Sequence, residues 1–440
     1  MVPGFDLKSL NVLGKLIAEL ERFNLEGAAP EEFHPEDLFD EGEQAFFLIQ
    51  GLANFWQKES SADFKQHTVD MVISTHGQRL ADLTLVLLGT PRNLSVIVSL
   101  GTEQTTRTLL EGILPGIDLQ RVSRDQLVNT LRAHCIVQGV LTGVPSRKDY
   151  NPERFDSKKG QNNQQSAAAA TQQNQSLLER VIRGMYGATW CYIVQAHPRP
   201  RGQVVQDRMK VVDLLTQITS RSRVQWNSTK QESTSRTSTE SGSQTHSYSG
   251  DMVNYRAQYL IKLLERELER LDQAAAVGQW IVRTYYGSTQ ADDTRRVASL
   301  LLGTMAGQDS RPDPLRALLC QPTGGQSLSN FHTFLTSNEL ATLIQPPREE
   351  VAGYAIHDYV HFDVDFRPSR GDNLPLGRII QSGRDTRNTF DISLDALTKH
   401  AVVIGVTGSG KTTTVMNLLD RVVEARKPFL VIEPAKTEYR

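Results

Sequence analysis

The chain has 440 residues, 39% of them hydrophobic, which is more than one ordinary core holds and excludes a wholly disordered protein. Lys plus Arg (48) nearly cancels Asp plus Glu (50), so binding to nucleic acid through bulk positive charge is excluded, though a local basic groove is not. The N-terminus does not read as a signal peptide, no apolar run reaches membrane-spanning length, and Cys135, Cys191 and Cys320 are isolated, which argues against disulfides and zinc and for a reducing cytoplasm.

In chain order, residues 1–150 read as an N-terminal α+β domain. A helix over 7–23 places Leu7, Leu10, Leu13, Leu16, Ile17 and Leu20 on one face. A second helix is expected over 45–56, then strands at 69–74, 83–88 and 94–100, the last two joined by the turn Gly89-Thr-Pro-Arg-Asn93. A helix over 103–114 and a helix–strand pair over 124–141 follow. Residues 151–176, rich in Gln, Asn and Ala at 160–176, read as a flexible insertion.

A second α+β unit spans 177–310, with helices at 177–185, 204–218, 255–271 and 292–305 and strands at 189–196 and 280–286. It holds a Ser/Thr-rich insertion at 220–250, read as mobile, although its alternation also suits a long polar hairpin. The recurring strand–helix units suggest a duplicated β/α layout. A connector follows at 311–375, where Thr336-Ser-Asn-Glu339 has the form of a capping box and Pro346-Pro347 ends the helix. Residues 360–366 alternate as a half-buried strand. His361, Asp363 and Asp365 share its polar face, open to two readings: a metal trio, or a solvated strand face.

The chemistry gathers at His400-Ala-Val-Val-Ile-Gly-Val-Thr-Gly-Ser-Gly-Lys-Thr-Thr-Thr414. Residues 405–412 fit G-x-x-x-x-G-K-[ST], preceded by an apolar run (401–404) that reads as a buried parallel strand. Val415, Leu418, Leu419, Val422 and Val423 then follow at helical spacing. Gly405, Gly408 and Gly410 let the backbone lie close to phosphate, with Thr407, Ser409, Lys411, Thr412 and Thr413 completing the cradle. Lys411 is expected to reach the β- and γ-phosphates of ATP, and the Thr412 hydroxyl to ligate Mg²⁺.

Leu376-Gly-Arg378, Phe390-Asp-Ile-Ser-Leu-Asp-Ala-Leu-Thr-Lys-His400 and the P-loop together resemble the HerA/FtsK superfamily of DNA-pumping ATPases. Phe429-Leu-Val-Ile-Glu-Pro-Ala-Lys-Thr-Glu-Tyr439 is similar to the family's second strand, with Glu in place of the usual Asp and one extra residue before Glu-Tyr. Leu335-Thr-Ser-Asn-Glu-Leu-Ala341 and Gly143-Val-Pro-Ser146 resemble the N-terminal part of conjugative type IV secretion ATPases. The resemblance implies an α/β fold in which residues 376–440 begin a RecA-like ATPase domain, cut after its second strand, so that hydrolysis draws on residues beyond Arg440. It further implies a catalytic role for Lys411 and Glu433, contact of Lys399 with phosphate, a homo-hexameric ring, and double-stranded DNA as partner. A nuclease or defence effector is a further partner it implies. Glu433 also reads as a plain strand-end carboxylate. Two alternatives stand beside the DNA translocase: a conjugation or secretion ATPase, and a nucleotide-gated scaffold without turnover.

Overall fold

The computed structural model describes residues 7–39, 44–54, 61–78, 81–146, 177–219, 223–233, 243–358, 372–381 and 384–432. The chain divides into two compact units, 1–357 and 358–440.

The first unit is built on a mixed ten-stranded sheet. In chain order the strands are β1 (Phe46–Ala53), β2 (Leu83–Gly89), β3 (Leu94–Ser99), β4 (Asp118–Val122), β5 (Val137–Thr142), β6 (Trp190–Arg199), β7 (Arg223–Ser233), β8 (Ser243–Val253), β9 (Gln279–Ser288), β10 (Arg316–Leu319), β11 (Thr333–Thr336) and β12 (Ala355–His357). The sheet runs β10-β5-β9-β6-β2-β3-β1-β12, with β4 on β1 and β11 on β9. Its pairings are antiparallel except β1 with β12. β7 and β8 form a separate two-stranded ladder, so the 220–250 stretch carries the polar hairpin that its alternation allowed.

Strands before and after residues 151–176 interleave in this sheet. β9 lies between β5 and β6, and β2 pairs with β6. Alternation along each strand feeds two cores. Leu83, Leu85, Leu87, Trp190, Tyr192 and Val194 join one, under α2 (Ser61–Gly77), α3 (Glu103–Ile113), α5 (Leu177–Gly184), α8 (Ala291–Met305) and α9 (Ser337–Ile344). Val86, Leu88, Cys191 and Ile193 point to the opposite core, with Leu127 and Leu131 of α4 (Arg124–His134) and Phe33 and Phe39 of a covering loop. A third cluster joins α1 (Leu7–Leu20), α6 (Arg201–Thr219) and α7 (Tyr255–Val277).

The capping box is realised. Thr336 Oγ1 accepts from the Glu339 amide at 3.3 Å, and the Glu339 carboxylate accepts from the Thr336 amide at 2.9 Å. The same carboxylate takes two donors from Arg270 of α7, at 2.9 and 3.1 Å, so the cap also fastens two helices.

Three expectations are corrected. The helix expected over 45–56 is β1, whose residues bury on both faces because Ile49 and Leu52 enter one core and Phe46 the other. The strand expected over 69–74 lies within α2, where Phe64, Thr68, Val72 and Thr75 bury at helical spacing. The cysteines are not all free: Cys135, the C-cap of α4, is bonded to Cys191 in β6, across a sequence separation of 56. Folding brings the α4 terminus onto the sheet, and no local spacing announces that approach. No helix among the described residues is long and apolar enough to cross a membrane.

In the second unit β13 (Asn373–Gln381) and β14 (Arg384–Ser393) form an antiparallel hairpin, followed by a 3-10 turn at Leu394–Thr398 and by α10 (Lys411–Glu424). Arg378 and Asp385 pair across the hairpin at 2.6 Å, which raises the arginine's pKa and holds the carboxyl below its ordinary value. Asn417 of α10 donates to Leu376 O at 2.7 Å, tying helix to hairpin.

Candidate nucleotide-binding site

The loop at 405–410 is shaped by its own turn and by glycine. The Ser409 amide donates to Val406 O at 3.2 Å. Gly408 and Gly410 both sit at φ 84°, in the left-handed region where a Cβ is penalised. Gly405 is close-packed for a different reason, since a Cβ there would lie 2.3 Å from Ser409 Oγ and force that side chain to move. Gly410 is the N-cap of α10, so the amides of Lys411, Thr412 and Thr413 belong to the first turn, where helix geometry leaves them without intrahelical acceptors. Thr414 closes the turn, its amide and hydroxyl both donating to Gly410 O.

Lys411 Nζ donates to Val406 O at 2.7 Å, folding the lysine back over the loop. The loop residues are exposed, and so are Thr412 and Thr413. The structure thus brings Gly405, Val406, Ser409, Gly410 and Lys411 together. The chain missed in sequence reasoning is the Val406 carbonyl, a backbone group that carries no side-chain signature. Lys399 caps the 3-10 turn through its amide, which donates to Ala396 O at 3.1 Å, and its side chain is exposed. Glu433 lies outside the described residues, as do His361, Asp363 and Asp365. Among the described residues no cluster of three or more His, Cys, Asp or Glu is placed to hold a metal.

The expected parallel strand is corrected. Residues 401–406 form no ladder among the described residues, and Val402, Ile404 and Val406 are 78%, 88% and 80% exposed. Residues 427–432 likewise form no ladder among the described residues, with Leu430 and Ile432 82% exposed or more. The apolar composition marks a strand of a parallel sheet, but a strand exists only through the hydrogen bonds of its neighbours.

The cradle fits a polyphosphate. Its glycines leave open space at 408 and 410, its cation is half-buried, and its free first-turn amides sit at the positive end of a 14-residue helix. Thr412, beside Lys411, offers the hydroxyl that a P-loop uses for Mg²⁺.

Residues 374–440 match the family described as helicase HerA, central domain. This stretch resembles the P-loop ATPases of the HerA/FtsK type, as the motifs indicated. The match supports a HerA-type, nucleotide-binding ATPase and covers the whole P-loop and α10. Neither a curated protein nor a solved structure matches the chain.

Proposed function

We propose that the chain is the ATP-binding part of a hexameric motor that couples ATP hydrolysis to movement along double-stranded DNA, in company with a nuclease or defence effector. In this reading the ATPase domain begins at residue 376. The observation that carries it is the glycine-shaped loop with Lys411 at the head of α10, inside the stretch that matches the HerA central domain. Lys411 leaves Val406 O for the β- and γ-phosphates, the amides of 408–413 hold the phosphate oxygens, and Thr412 ligates Mg²⁺. Bound Mg²⁺-ATP supplies the phosphoryl group whose cleavage drives movement. Lys399 adds positive charge near the phosphates, and Glu433 positions the attacking water.

Lys411→Ala removes the charge that faces phosphate, and loss of binding to a fluorescent ATP analogue is expected. Wild-type affinity in that variant refutes the site. In a preparation that turns ATP over, Glu433→Gln is expected to retain the analogue while turnover, measured as phosphate release, falls about 100-fold or more, the scale of one lost acid–base contact. Unchanged turnover assigns Glu433 no role. Sedimentation of the intact protein with and without Mg²⁺-ATP tests the ring, and a monomer in both conditions rejects it.

A further inference from the structure

The cluster of α1, α6 and α7 takes every one of its apolar members from those three helices, and neither sheet core takes any member from them. The helices therefore form a layer with a core of its own, laid against the sheet without a common one. Its two inner connections to the sheet are single residues, Pro200 between β6 and α6 and Gly278 between α7 and β9. Arg199 and Gln279 are register partners, so both connections leave the sheet side by side.

Charge fastens the layer elsewhere. Arg22, just past α1, donates to Asp313 Oδ2 at 3.1 Å, to Thr142 Oγ1 at 3.3 Å and to the carbonyls of Asn330 and His332. Arg316 of β10 bridges in the other direction, to Asp313 Oδ1 at 2.8 Å and to Glu21 O at 2.5 Å. Arg270 of α7 grips the Glu339 carboxylate of α9 and the Phe334 carbonyl. The side chains of Arg270 and Glu339 are 14% and 5% exposed, so this pair is held largely out of water.

A junction that only has to hold gains as much or more from apolar residues of the same volume as from buried ion pairs. Charged groups differ from apolar ones in what happens when they part: arginine and carboxylate recover their hydration, whereas a parted apolar face meets water at full cost. A charged junction beside a two-residue hinge therefore has two accessible arrangements. Arg22 carries a sign of this, since it sits at φ 50°, a left-handed conformation that costs a non-glycine residue energy and is kept by its bonds to the sheet side.

We propose that the layer is a latched lever: α6 and α7, with α1 packed on them, swing as one body about Pro200 and Gly278, and Arg22, Arg270 and Arg316 are the latches. The β7/β8 ladder joins α6 to α7 and travels with them. The inference stands apart from the nucleotide site.

Spin labels at Glu265→Cys on α7 and Ser299→Cys on α8, both exposed positions, read the layer-to-sheet distance by pulsed electron resonance in a Cys320→Ser background. A second pair, Gln206→Cys on α6 with Glu265→Cys, reads a distance inside the layer. The latch variant is Asp313→Asn/Glu339→Gln, in which amides replace the carboxylates and Gln still suits the capping box. It should add a longer 265–299 distance, with the closed-to-open ratio at least about tenfold lower than in wild type, while the 206–265 distance stays as it was. Asp272→Asn, which breaks the Arg208–Asp272 pair inside the layer, should leave the 265–299 distance unchanged. A single unchanged 265–299 distance in the latch variant overturns the lever. So does a 206–265 distance that broadens with it, because the helices are then melting, or an equal response to Asp272→Asn. If the latch variant does not fold, the labelled wild type in urea decides: the longer 265–299 distance should emerge before the circular dichroism of the chain falls, and coincident changes overturn the proposal.

Discussion

Replacing Cys135 and Cys191 together by alanine cuts the one covalent cross-link seen in the described residues, and its effect is calculable from chain topology. The bond closes a loop with a sequence separation of 56, and freeing such a loop in the unfolded chain is worth about 4 kcal/mol. Spread over the unfolding entropy of a unit of residues 1–357, that loss lowers the melting temperature by about 5 °C. The assay is calorimetry of both proteins without reductant, paired with thiol titration in denaturant. Of the 3 cysteines, only Cys320 should react in the unreduced, unfolded wild type. In the native protein even Cys320 should react slowly, because burial pushes its thiol up to about 12 and leaves little thiolate at neutral pH. Three reactive thiols in denaturant, or equal melting temperatures, refute the reasoning.

Glu339→Ala removes both halves of a shared interaction and leaves Arg270, its side chain 14% exposed, without that carboxylate; a loss of about 3 kcal/mol is expected in urea unfolding. Arg270→Met/Glu339→Leu should recover much of it, and a single variant as stable as wild type contradicts the role. Glu36, whose carboxyl is held below its ordinary value by the Arg132 hydrogen bond, stabilises the loop over α4 above the unfolded carboxylate pKa. That contribution is lost as pH falls through the lowered folded value, so the melting temperatures of wild type and Glu36→Gln should converge on acidification; a gap that stays constant with pH excludes it.

What the sequence disclosed follows the range of the interaction that makes each feature. The turn at Gly89-Thr-Pro-Arg-Asn93, the capping box at Thr336 and the P-loop at 405–412 are set by residues within a few positions, and each was legible. Features set by distant chain were not. Phe46 to Ala53 has the apolar density of a buried helix until β3 and β12 flank it. Val69 to Ser74 looks like a strand because β-branched residues crowd there, yet the burial of Phe64, Thr68, Val72 and Thr75 shows that tertiary packing overrides that preference. The Cys135–Cys191 bond, and the second use of Glu339 as a partner of Arg270, depend on elements that only the finished fold brings together.

The candidate site shows both ranges at once. Its loop holds the left-handed glycines and the helix start on local instructions alone, with 401–404 unpaired beside it. Lys411 is set differently. Its one hydrogen bond, to Val406 O, is solvent-exposed, and a bond of that kind contributes about 1 kcal/mol net. A polyphosphate offers the same ammonium group charge-assisted partners, each roughly twice as strong as a neutral one. The exchange therefore runs downhill without any rearrangement of the backbone that carries the lysine. The loop is closed on itself but not locked, as the proposed nucleotide site requires.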